Sequence, residues 1–171
     1  AALMEHAGVR PDHQVCYHGG RSGITAAHLK PNRKLDTTCR TLAQALSHSS
    51  NVIFARLADS KLSVNSLNQW GEQFGFNRDI PFLWSVEKSK LQLPSDRVKF
   101  AGAAAGFHYS HISPLHGALL TAAVGNSGDI PVPRLVHSIS RDGVEIYTAE
   151  SATLGRAIAP STAKDLSLIH I

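Results

Sequence analysis

The chain lacks a segment able to cross a bilayer: its longest apolar candidate, PLHGALLTAAVG, is about 12 residues where about 20 are required. The opening AALMEHAGVRPD does not read as a secretory leader, having neither a basic start nor a long apolar centre. Basic residues outnumber acidic ones, 17 to 13 with a formal net charge of +4, yet they are scattered rather than gathered into a face. The densest group, Lys30, Arg33, Lys34 and Arg40, has only Tyr17 near it for base stacking, which argues against a nucleic-acid partner. Cysteine is limited to Cys16 and Cys39. With 43% hydrophobic and 18% charged residues, the composition is not that of a disordered chain. A length of 171 residues suits one ordinary domain with a self-sufficient core.

What is present is a series of helical patterns. AALMEHAG reads as the end of a helix closed by Gly8, with its start missing. PSTAKDLSLIHI stops inside a helical pattern without a cap, and the two ends together suggest an internal piece of a longer chain. Residues 9–40 are polar and read as a long loop, which is usually functional or locally stapled. A Cys16–Cys39 disulfide could supply the staple, and closing a loop of about 24 residues would contribute about 3 kcal/mol in an oxidising compartment. Two free thiols, or a metal site shared with His13, His18 and His28, are the other readings, although the spacing fits no zinc signature well.

From Thr41 onward, TLAQAL places Leu42, Ala45 and Leu46 on one helical face. The next helix, with Val52, Ile53, Phe54, Ala55, Leu57 and Ala58, is apolar over most of its circumference and must be buried. A third is expected over 63–74, with Leu67, Trp70 and Phe74 inward and Gly75 after its end; Trp70 reads as core. Residues 76–100 read as irregular, and the small residues of FAGAAAGF suit close backbone approach. Ser113 and Pro114 open a clear helix that Gly125 and Asn126 stop. RLVHSIS and VEIYT flank an Asp142–Gly143 turn and form a hairpin, and a last helix begins near Pro160 or Ser161. The class is α+β, mostly helical.

The segment SHSSNVIFARLA, residues 47–58, admits two readings. Ser and Asn ahead of a helix accept hydrogen bonds from its first free N–H groups, which alone would explain them. The alternative is chemical, and it gains weight from the surroundings. TLAQALSHSSNVIFARLA, then GEQFGF, then ISPLHGALLTAAVGNSGDIPVPRLV resembles, in order, the transpeptidase domain of penicillin-binding proteins. That family uses three motifs, Ser-x-x-Lys, Ser-x-Asn and Lys-Thr/Ser-Gly. Only the middle one matches here, at Ser49, Ser50 and Asn51. The letters Ser-x-x-Lys recur at Ser85–Lys88, but in an irregular charged segment after the Ser-x-Asn motif, where the match is accidental.

The resemblance implies a partial transpeptidase domain over 1–171, part of a β-lactamase/transpeptidase-like (serine D-Ala-D-Ala peptidase) fold. The Ser-x-x-Lys motif would lie just before residue 1 and the Lys-Thr-Gly strand after the last helix. Ser49 and Asn51 are then the catalytic residues, with Asn51 also binding substrate and Ser50 facing away. The parent enzyme would cross-link peptidoglycan stem peptides through a serine acyl-enzyme, the fragment alone being inactive. No metal or organic cofactor is implied. Stem peptides, β-lactam antibiotics and a cell-division or elongation machinery are the implied partners. The implied location is the periplasmic or other extracytoplasmic face of the inner membrane, with the anchor outside this chain; such a compartment favours the Cys16–Cys39 bridge. A non-catalytic or β-lactam-sensing homologue and a serine β-lactamase are the alternatives. The closing SLIHI has little of the family's character and is either native or a foreign junction.

Overall fold

The computed structural model describes residues 1–169; part of SLIHI, and with it the question of a junction, lies outside them. The elements run α1 (Ala2–Glu5), β1 (Gln14–Tyr17), α2 (Ala26–Leu29), β2 (Thr38–Thr41), α3 (Leu42–Ser47), α4 (Asn51–Lys61), α5 (Val64–Gln73), β3 (Lys90–Leu91), α6 (Arg97–Ala104), β4 (Ser110–His111), α7 (Pro114–Gly125), β5 (Asp129–Pro131), β6 (Ser138–Arg141), β7 (Val144–Thr148), β8 (Thr153–Arg156) and α8 (Pro160–Ile169). The expected α+β class holds. Its strands form four separate antiparallel pairs, β1–β2, β3–β4, β5–β8 and β6–β7, where only the last was expected.

Local chemistry explains most helix boundaries. The Thr41 hydroxyl accepts from Gln44 N while Gln44 reaches back to the Thr41 amide, a capping box that starts α3. Ser63 and Ser66 do the same for α5. Asp96 caps α6, and Ser113 caps α7 with Pro114 behind it. Gly8 and Gly75, at φ of +63° and +93°, turn the chain away after α1 and α5. Asp142 and Gly143, at +53° and +79°, make the β6–β7 turn.

At the centre is α4. Ile53 and Leu57 pack with Leu3, Val9, Leu42 and Ala45 on one side, and Ala55 packs with Leu29 and Ala101 on another. Its buried residues Val52, Ile53, Ala55, Leu57 and Ala58 are each at most 4% exposed, so the helix is clamped along its length. A second cluster, Leu119, Ala123, Ile130 and Ala157, holds α7 against β5 and the turn before α8. His116, 1% exposed, joins α7 to the end of α5 by donating Nε2–H to the Phe74 carbonyl at 2.8 Å. Trp70, expected in the core, is half-buried.

The segment 9–40 is not the structureless loop its composition suggests. β1 and β2 pair in it with Cys16 opposite Cys39, and the two cysteines are joined by a disulfide. With both sulfurs bound to each other, the thiolates required by the metal reading are not available there.

Candidate active site

The entry to α4 lies where β1, β2 and a two-glycine turn converge. Tyr17 closes β1 and Arg40 lies in β2, each adjacent in sequence to a bridged cysteine. Both reach the same atom: Arg40 Nη1 donates to Ser50 Oγ at 2.8 Å, and the Tyr17 hydroxyl stands 3.4 Å from it. After β1 the chain turns through Gly19 and Gly20, at φ of +64° and +80°. A Cβ on Gly20 would fall 2.0 Å from Val52 Cγ2, so only glycine lets this backbone rest on the first turn of α4. The Gly20 carbonyl accepts from Asn51 Nδ2 at 3.4 Å.

Ser49, Ser50 and Asn51 therefore share one cleft of about 630 Å³ with Tyr17, His18, Gly19, Gly20, Arg21, Thr38, Arg40 and His48. Ser49 is exposed and held at φ +49°, a left-handed conformation that a side-chain-bearing residue adopts at a cost. Its amide bonds to the Leu46 carbonyl and that of Ser50 to the Ala45 carbonyl, which ties the turn to the end of α3.

Two expectations for this segment are corrected. Ser50 occupies the N-cap position of α4 but makes no side-chain cap bond. A guanidinium donor makes a charge-assisted bond to its hydroxyl, and such a bond is stronger than a neutral cap. Nor does Ser50 face away from the cleft: it is 5% exposed, lines the cleft and holds Arg40 there. The letters Ser-x-x-Lys at 85–88 stay outside the site, with Ser85 exposed and Lys88 paired to Asp79 at 3.0 Å.

Behind the cleft wall is a buried hub absent from the sequence reading. Arg56, one and a half turns along α4, donates to Asp36 Oδ2 at 2.8 Å and Oδ1 at 3.0 Å, and to the carbonyls of Cys16, His28 and Lys30. Asp36 also accepts from Asn32 N and, at 2.5 Å, from His18 Nδ1. The Arg56 hydrogen bonds hold the Asp36 carboxyl well below the usual carboxylate range, against the opposing effect of burial. Burial, with His18 and Arg56 nearby, pushes His28 down. One arginine thus pins β1, α2 and the Asn32–Asp36 turn to the helix that carries the motif.

The chain matches the family model described as the penicillin-binding protein transpeptidase domain over residues 1–169. It belongs to that family. Penicillin-binding protein 3 of Bacillus subtilis is 29% identical over 103 residues, which are 58% of this chain and 15% of that protein. The D,D-transpeptidase domain of a peptidoglycan glycosyltransferase from Eggerthella lenta is 25% identical with a TM-score of 0.75, covering 98% of this chain and 44% of that one. Penicillin-binding protein A of M. tuberculosis, solved as a penicillin G acyl-enzyme complex, shares the fold at a TM-score of 0.79 and 20% identity, over 98% of this chain and 40% of that one. The chain therefore spans less than half the length of each of these three relatives. No helix among the described residues is long and apolar enough to cross a membrane.

Proposed function

We propose that the chain supplies the Ser-x-Asn part of a D,D-transpeptidase site, with Ser49 and Asn51 as catalytic residues. The observation that supports this reading is the shared cleft of Ser49 and Asn51 at the head of a clamped helix, because catalytic groups work when rigid elements hold them in one geometry. No lysine is among the residues that line the cleft. On this reading the nucleophilic serine and its lysine come from a Ser-x-x-Lys motif outside residues 1–171, and the chain alone is inactive.

In the complete site the serine hydroxyl gives its proton to the lysine and attacks the carbonyl of the penultimate D-alanine. The terminal D-alanine leaves with a proton on its amine, and an acyl-enzyme remains. An amine of a second strand then displaces the serine and forms the cross-link. Ser49 relays a proton between the lysine and the leaving or attacking amine. Asn51 holds the acyl-chain carbonyl and the lysine through its amide. β-Lactams enter the same route as acylating mimics. The disulfide across β1–β2 supports an extracytoplasmic working place, on the periplasmic face in a two-membrane cell, because such bonds persist outside the reducing cytosol. The substrates are stem peptides, and a division or elongation machinery is the expected company of the parent protein.

Fluorescent penicillin added to the full-length protein tests the reading. A label stable for hours is expected. Rapid loss of label identifies a β-lactamase instead, and failure to label sinks the acyl-transfer reading.

A further inference from the structure

The cleft beside Ser49 carries charge of one sign. Its charged lining is Arg21 and Arg40, and no Asp or Glu lines it among the described residues. Asp36, which touches the lining residue His18, is 6% exposed and already taken by Arg56 and His18. Neither Arg21 nor Arg40 is in an ion pair among the described residues. Arg40 is held in place by one nitrogen on Ser50 Oγ and by its guanidinium lying 6.0 Å from the centre of the Tyr17 ring. That leaves the rest of its fork without a described partner at the cleft wall. A fixed guanidinium with unused donors matches a carboxylate, which accepts two parallel N–H bonds. Arg21, exposed after the Gly19–Gly20 turn, adds a second cation to the same cleft.

We infer that Arg40 and Arg21 form a subsite for an internal carboxylate of the peptide substrate, separate from the terminal carboxylate that departs with D-alanine. This rests on the transpeptidase reading above. It makes the β1–β2 side of the cleft a specificity wall, reading whether that position of the peptide is a free acid or a carboxamide. The carboxylate can belong to the acyl donor or to the acceptor strand, which enter at different steps and are separable kinetically.

The test uses the full-length protein and two matched synthetic stem peptides, one with the internal carboxylate free and one with it as carboxamide. Acylation rate with each peptide as donor reads the first source. Partition of the acyl-enzyme between water and each peptide as acceptor reads the second. In one of these two measurements the free acid is expected to be preferred on the order of tenfold or more, and Arg21→Met and Arg40→Met are each expected to cut that preference severalfold. Because Arg40 also supports Ser50, Arg40→Met can fail to fold; Arg21, which makes no described hydrogen bond through its side chain, then carries the test. A change in overall rate without a change in preference would reveal a purely structural role and overturn the inference. So would equal use of both peptides in both measurements by protein that fluorescent penicillin still labels. Failure of the wild-type protein to label would instead defeat the transpeptidase reading, and the inference with it.

Discussion

Replacing Asp36 by Asn removes one charge and leaves the shape nearly unchanged, so it isolates the electrostatic part of the buried hub. Arg56, 7% exposed, keeps its bonds to the carbonyls of Cys16, His28 and Lys30 but loses the carboxylate that receives it at 2.8 and 3.0 Å. Removing one partner of a buried pair costs about 3–5 kcal/mol, because the other charge remains out of water. Asn can still accept one bond, which places Asp36→Asn at the lower end, about 3 kcal/mol. Urea unfolding should show this as a lower midpoint with an unchanged slope, and heating as a fall of about 6–12 °C in Tm. The effect must also depend on pH. The folded carboxyl titrates below its unfolded value, near 3.9, so its stabilisation is present above that value and is lost as pH falls toward the folded pKa. Wild type and variant should therefore converge in stability on acidification below about pH 4. A loss under about 1 kcal/mol at neutral pH, or a difference undiminished between about pH 5 and pH 2, would refute the argument that this pair anchors the 9–40 segment.

Other perturbations address the cleft itself. Gly20→Ala should destabilise the fold by about 2 kcal/mol or more in urea, since the new methyl meets Val52 at 2.0 Å from a backbone at φ +80°. Cys16→Ser with Cys39→Ser should lower stability by about 3 kcal/mol through loss of a cross-link over 23 positions, and adding reductant to the wild type should reproduce most of that shift in Tm. Ser49→Ala and Asn51→Ala in the full-length protein should each slow transpeptidation about 100-fold while leaving Tm within a degree or two, which a coupled D-alanine-release assay and calorimetry would check together.

Helices α3, α5 and α7 were legible because their ends are written locally, whereas α2 and α6 fall in or begin within the stretches 9–40 and 76–100 that read as loop and irregular chain. Thr41 with Gln44, Ser63, and Ser113 with Pro114 announce their starts, and the Asp142–Gly143 turn announces the hairpin. β1 and β2 were not, because each is four residues long with half its side chains exposed, and what aligns them is a disulfide and a distant arginine rather than an apolar alternation. β3 and β4 are two residues each, too short to carry a pattern at all. As candidate catalytic residues, Ser49 and Asn51 stand out only through the order of the segments around them. The hub left one signal that went unread: Arg56 is a lone charge within the apolar run VIFARLA, and a charge in such a helix must find a buried partner. Ser50 was misread because the cap rule considers only the helix's own N–H groups as donors and takes no account of a guanidinium arriving from another strand.

Ser50 has a consequence for how the motif is written. The middle letter of Ser-x-Asn stands for any residue, and here that freedom is gone: position 50 must present a small hydrogen-bond acceptor to Arg40 inside a closed wall beside Tyr17. A substitution at 17, 40 or 50 therefore disturbs the contacts of the other two. The middle residue of the motif is thus the one that ties the head of α4 to the disulfide-bridged β1–β2 pair.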